Sequence, residues 1–118
     1  MIERTQIGFP RVEDGRYLLR VLGVPVKKRF GETPVREWSF EVSKDQIMIQ
    51  KIKIIIPPWK SEGLLLALGG KKEKNEIVWD DSTVEGKYFE ADLKWEKYTK
   101  SSGETGEGYT LSRCEKSF

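Results

Sequence analysis

Three segments of this chain alternate apolar and polar residues with a period of two, and that pattern restricts it to folds built from sheet. Between Val35 and Val42, the side chains of Trp38, Phe40 and Val42 fall on one side, and those of Glu37, Ser39 and Glu41 on the other. In the β-branched run Gln46 to Ile56, Ile52, Ile54 and Ile56 alternate with Lys51, Lys53 and Ile55. From Lys87 to Tyr98, Phe89, Ala91, Leu93 and Trp95 alternate with Tyr88, Glu90, Asp92, Lys94 and Glu96. Successive side chains of a strand point to opposite faces, so each segment reads as a strand with one face on a core.

Glycine and proline divide the rest. Asp14-Gly15 opens a first strand predicted over Arg16 to Val24, and Pro25 closes it. Val26 to Pro34 reads as a polar hairpin-type loop, and Pro57-Pro58 stops the third strand because proline cannot donate to a ladder. Ser61 to Leu68 is the one helical segment. Ser61 suits the N-cap, Glu62 the positive helix end, Leu64, Leu65, Leu66 and Leu68 the buried side, and Gly69-Gly70 the stop. Lys71 to Lys74 reads as a charged loop, Asp80-Asp81-Ser82 as a turn, and residues 99–108 as a flexible Ser/Gly-rich hairpin loop before a last strand, Tyr109 to Glu115. The chain is therefore expected to be mostly β: a five-stranded Greek-key barrel of the OB-fold kind, with one short helix between strands 3 and 4. A small β-sandwich is the rival architecture. The 118 residues make one domain, with residues 1–14 as an N-terminal extension.

Composition narrows the chemistry. The chain has no histidine, which removes the commonest general base and the commonest metal ligand. The single cysteine, Cys114, can form neither an internal disulfide nor a structural zinc site, and a cysteine nucleophile here would lack a histidine partner. Leu68-Gly69-Gly70-Lys71-Lys72 resembles a phosphate loop only superficially, since it follows a helix rather than a strand. Asp80-Asp81 could ligate a hard cation, but adjacent carboxylates in a turn are usually just solvated. The expectation is a binding protein with no enzymatic activity, no cofactor and no metal. No run of about 20 apolar residues is present to span a bilayer, and the lone cysteine fits a reducing compartment, so a cytoplasmic location is expected.

Charge is unevenly spread. Residues 1–60 carry 12 Lys/Arg against 7 Asp/Glu, whereas residues 61–118 carry 9 against 12. A basic half beside an acidic half allows a polyanion on one face. The basic cluster Lys27, Lys28 and Arg29 precedes the aromatic Phe30, a pairing that offers phosphates a charge and a base a stacking surface. Phe30 could equally fold back over one barrel end. Arg36 is in phase with Trp38 and Phe40, and Lys51 and Lys53 form a stripe opposite Ile52 and Ile54. Tyr98 and Lys94 are in phase on the long fourth strand, Tyr109 and Arg113 on the last, and Lys100 begins the supple loop. The binding reading needs the cationic loop and the supple loop to meet at one mouth of the barrel. Trp59 is expected to cap the barrel beneath the helix. Carbohydrate binding through Trp59 or Trp79 is a further reading.

Several short motifs carry a family likeness. Gly15-Arg16-Tyr17, Trp38-Ser39-Phe40-Glu41-Val42, Leu65-Leu66-Ala67-Leu68-Gly69, Val84-Glu85-Gly86-Lys87 and Trp95-Glu96-Lys97-Tyr98 occur in that order. The chain thus resembles small phage- and prophage-associated proteins of formally unknown function that look like single-stranded DNA-binding proteins. The resemblance implies an OB-type fold handling single-stranded DNA in replication or recombination. Implied partners are that DNA, a second copy of the chain, or other replication and recombination proteins. Relatives of the replication type end in an acidic tail, whereas here Lys116 stands in Cys114-Glu115-Lys116-Ser117-Phe118, so tail-mediated recruitment is not implied. The alternative from another class is a protein-interaction or assembly module, such as a virion component, using a sheet edge or exposed tyrosines.

Overall fold

The computed structural model describes residues 2–3, 11–99, 103 and 105–117, with the side chains of Phe30 and Tyr98 outside that set. The chain is mostly β, as the alternation requires. Its strands are β1 (Gly15–Val21), β2 (Val26–Phe30), β3 (Thr33–Lys44), β4 (Ile47–Ile56), β5 (Lys71–Glu73), β6 (Glu76–Val78), β7 (Tyr88–Thr99) and β8 (Thr105–Lys116). A 3-10 turn (Pro58–Lys60) and the helix α1 (Glu62–Ala67) separate β4 from β5.

Six strands form one antiparallel sheet in the order β2-β3-β1-β7-β8, with β4 on the other side of β3. β1 and β2 share β3 end to end: Leu18 to Val21 pair with Ser43 to Phe40, and Val26 to Phe30 pair with Glu37 to Thr33. They are in effect one long strand broken at the corner Leu22–Pro25. β7 lies on the opposite edge of β1, and β8 on β7. No ladder joins β4 to β8 among the described residues, so the sheet is open along that seam. α1 packs on β8, where a methyl group on Gly63 would meet Cys114 Cβ at 3.9 Å.

The core lies where the period-two pattern puts it. Leu19, Val21, Trp38, Phe40, Val42, Ile52, Ile54, Phe89, Ala91 and Leu93 share one buried face, closed by Leu64, Leu65, Ala67 and Leu68 of the helical segment. Phe40 stands edge-on to Phe89, with ring centres 5.3 Å apart, which is the favoured arrangement of two aromatic quadrupoles. α1 has only six residues and could not persist alone, so burial of Leu64, Leu65 and Ala67 holds it, while Leu66, expected on the buried side, is exposed because it points away from the sheet. Its end is fixed by Gly69 at φ 98° and by the Lys87 ammonium, which donates to the Leu68 carbonyl at 2.8 Å. No helix among the described residues is long and apolar enough to cross a membrane.

Several expectations are corrected. Among the described residues there are eight strands, six of them in one unclosed sheet, where the sequence led to an expectation of five in a barrel. Val26 to Phe30, expected as loop, pairs fully with β3 across a tight turn at Gly31 (φ 62°). Lys71 to Glu73 form half of a two-stranded hairpin with β6, turning through Lys74 at φ 55°. Half of the expected loop 99–108 is ladder: Thr99 faces Thr105, Tyr98 faces Gly106 and Glu96 faces Gly108. Charged and glycine-bearing residues hid these strands, because edge and hairpin strands need no apolar alternation. Within the segment expected as an N-terminal extension, residues 11–14 are tied to the sheet. Val12 is buried in the core and donates its amide to the Tyr109 hydroxyl at 2.8 Å, and Asp14 accepts from the Trp95 amide at 2.9 Å.

Candidate nucleic-acid interface

The site begins at the C-terminal end of β4. Pro57-Pro58 ends the ladder and, with φ preset, starts the 3-10 turn. That turn is held by the Lys60 amide on the Pro57 carbonyl (3.0 Å) and by the Ser61 hydroxyl on the Pro58 carbonyl (2.7 Å). The Ser61 side chain thus braces the turn and does not cap α1. Trp59 sits in the middle of this turn and is 70% exposed. It is no barrel cap; a short, stiff segment presents it to solvent.

Trp79 lines the same cleft as Trp59. Its ring stacks on the buried Trp38, with centres 5.7 Å apart and planes 26° apart, and the Arg36 guanidinium lies 4.8 Å from the centre of the same ring. Arg36 also donates to Asp81 at 3.0 Å. Asp81 reaches it because Asp80 turns the chain, accepting from both the amide (2.9 Å) and the hydroxyl (2.6 Å) of Ser82. Those two hydrogen bonds hold the Asp80 carboxyl below the ordinary carboxylate range. Asp80 is therefore spent on the turn, and no three-carboxylate or cysteine grouping that could hold a metal occurs among the described residues.

Pro34, Arg36, Trp38, Ile56, Pro58, Trp59, Ser61, Glu62, Leu65, Lys72, Asn75, Glu76, Ile77 and Trp79 line a cleft of about 640 Å³. Its floor is core aromatic and aliphatic, and its walls are the 3-10 turn and the β5–β6 hairpin. Lys72 ties the hairpin to α1 through Glu62 at 2.8 Å.

The cleft continues into the cationic strand. Directly opposed residues of an antiparallel pair point to the same face, and Lys27 opposes Arg36 while Arg29 opposes Pro34. Both cleft-lining residues thus have a cation beside them. Lys27 and Arg29 are exposed, and neither makes an ion pair among the described residues. Lys27 against Arg36 is a like-charge pair, which costs the sheet stability unless an anion sits between or above it.

The other sequence-predicted residues fall elsewhere. Lys28 is on the opposite face of β2 and binds Glu37 at 2.9 Å. Lys51 and Lys53 are exposed on the outer face of β4, as their alternation required, away from the cleft. Tyr109 is half-buried, edge-on to Trp95 at 4.8 Å, and its hydroxyl is taken by Val12. Tyr109 and Arg113 do not share a face. One extra β8 residue lies between the pairs Asp92–Ser112 and Glu90–Glu115, Arg113 takes φ 49°, and its side chain turns to Asp92. Lys94 is exposed on β7. The side chains of Phe30 and Tyr98, and all of Lys100, lie outside the described residues.

The two hairpin tips do not share a mouth. β7 pairs antiparallel to β1 from Arg20–Tyr88 to Gly15–Leu93 and then runs on past the start of β1, while β2 continues past its end. The register sends the described strand ends beside those tips, Phe30–Thr33 and Thr99–Thr105, to opposite ends of a molecule 63 Å long. The surface expected from the sequence, with both loops at one mouth, is therefore not formed, and Lys27 and Arg29 instead lie beside Arg36 and Pro34 of the tryptophan cleft. Comparison with known proteins finds no matching family model, curated protein or solved structure. The cleft must be read from its own chemistry.

Proposed function

We propose that this protein is a sequence-tolerant single-stranded nucleic-acid-binding domain, and that the Trp59–Trp79 cleft with Lys27, Arg29 and Arg36 is its binding surface. One observation carries the reading: Lys27 and Arg29, which make no ion pair among the described residues, stand beside Arg36 and Pro34, and these two line the same cleft as the exposed, rigidly presented Trp59. Phosphates need the first and unstacked bases the second. A duplex hides its bases, so an aromatic wall of this kind favours a single strand. The order β4-β3-β1-β7-β8, with a helix before β7, supports an open form of the OB barrel in which α1 seats against β8 in place of a closing ladder. The ligand is expected to be single-stranded DNA of the kind exposed in replication or recombination, as the resemblance implies.

The test is a fluorescence-anisotropy titration with labelled oligothymidine at two salt concentrations. Binding that weakens with salt, with a slope of about −0.7 per phosphate neutralised, is expected. No binding at low salt, or binding indifferent to salt, refutes the reading.

A protein-interaction role is favoured by a different observation. Ile47, Met48 and Ile49 are 68%, 52% and 46% exposed at the start of β4, an edge strand. Consecutive exposed apolar residues on an unpaired edge invite another chain. Light scattering over a concentration series, with Ile47→Lys as the comparison, decides it. A monomer at all concentrations in both proteins removes self-association.

A further inference from the structure

Of the three cations assigned to the strand, Lys27, Arg29 and Arg36, only Arg36 has an anion among the described residues. Its Nη1 meets the Asp81 carboxylate at 3.0 Å while its plane lies over Trp79. The two side chains are 28% and 36% exposed, so the pair adds little to the fold. A carboxylate on a guanidinium takes the position and geometry that a phosphate oxygen would take. Lys27, opposite Arg36 on the same face, has no such occupant.

Resting on the nucleic-acid reading, we infer that Asp81 is an intramolecular stand-in for phosphate, and that ligand binding exchanges Asp81 for a backbone phosphate on Arg36. The exchange makes the site selective. A neutral sugar or a free nucleoside can stack on Trp59 but cannot displace a carboxylate from a guanidinium. A strand can, because Lys27 and Arg29 hold its neighbouring phosphates while the exchange occurs. When the strand leaves, Asp81 returns and discharges the cation.

The consequence is counter-intuitive for a residue that bonds a binding-site arginine: removing it tightens binding. Asp81→Asn is expected to bind oligothymidine about two- to five-fold more tightly, the scale of one partly exposed ion pair. Its log-log salt slope stays that of wild type, since the same number of phosphates is neutralised in both proteins. Asp81→Glu restores the wild-type affinity, and in an Arg36→Gln background the Asp81→Asn gain disappears. Circular dichroism melts keep all variants comparable. Wild-type binding with Asp81→Asn equal or weaker would overturn this inference alone, making Asp81 a residue that merely positions Arg36. Absence of binding by both proteins at low salt would sink the nucleic-acid reading and this inference with it.

Discussion

Trp59→Ala separates binding from folding at the cleft. At 70% exposure, the indole buries about a third of its area, and a tryptophan offers at most roughly 250 Å². At ~25 cal/mol per Å² the loss is bounded near 2 kcal/mol, and it is smaller once the compactness of the unfolded chain is counted. The neighbouring Trp38 is the contrast. It is 1% exposed and stacked between Phe40 and Trp79, so Trp38→Ala should cost about 3–5 kcal/mol and disturb the whole core. For binding, one base stacked on an aromatic is worth about 1–3 kcal/mol, so Trp59→Ala should weaken oligothymidine binding by roughly 5- to 150-fold. Trp59→Phe should recover most of it. The assay is anisotropy at fixed low salt beside a thermal melt of each variant. Affinity within twofold of wild type, in a protein that still melts cooperatively, would remove Trp59 from the site. A collapse of the melt would show that the exposed indole carries core weight, against the burial argument.

Lys27→Ala and Arg29→Ala should each weaken binding and make the salt slope shallower by about 0.7, whereas Lys28→Ala, on the other face and tied to Glu37, should leave the slope unchanged. Asp92 is held below the ordinary carboxylate range, first by the Arg113 hydrogen bond and also by Arg16. Its folded pKa being depressed, its contribution is present above the unfolded value of about 4 and is lost as pH falls through the folded one. Melts of Asp92→Asn should therefore fall less steeply than wild type below about pH 4, and parallel curves would refute the assignment. Burial pushes the Cys114 thiol up to about 11, so iodoacetamide at pH 8 should label the native protein far more slowly than the denatured one; equal rates would place the thiol outside the core.

The core was legible because burial on one face imposes a period of two that few other structures produce. Trp38, Phe40, Val42, Ile52, Ile54, Phe89, Ala91 and Leu93 could be assigned to one face without coordinates, and all are buried. The helix boundaries were nearly so, from leucines and a Gly-Gly stop. β2 and the β5–β6 hairpin were not, since Val26 to Arg29 and Lys71 to Glu73 are exposed and owe their strands to backbone pairing. The phase reversal in β8 was invisible for a related reason. A single residue in the left-handed region at Arg113 moves every later side chain to the other face, and arginine carries no glycine-like signal for it.

The same logic explains why the cleft was only half visible. Arg36, Lys27 and Arg29 could be picked out by type, but their grouping depends on a register that pairs residue 27 with residue 36, and registers leave no trace in composition. Trp59 was misjudged because a tryptophan between a double proline and a helix is usually buried; here the prolines stiffen the turn that holds it out. The one signal available was the Pro57-Pro58-Trp59 run itself. An aromatic placed on a segment with little conformational freedom loses little entropy when a ligand stacks on it. Rigidity next to an exposed ring is therefore better evidence for a binding surface than the charge of its neighbours, since lysines on a solvated strand occur without any ligand and a fixed, exposed indole is harder to account for.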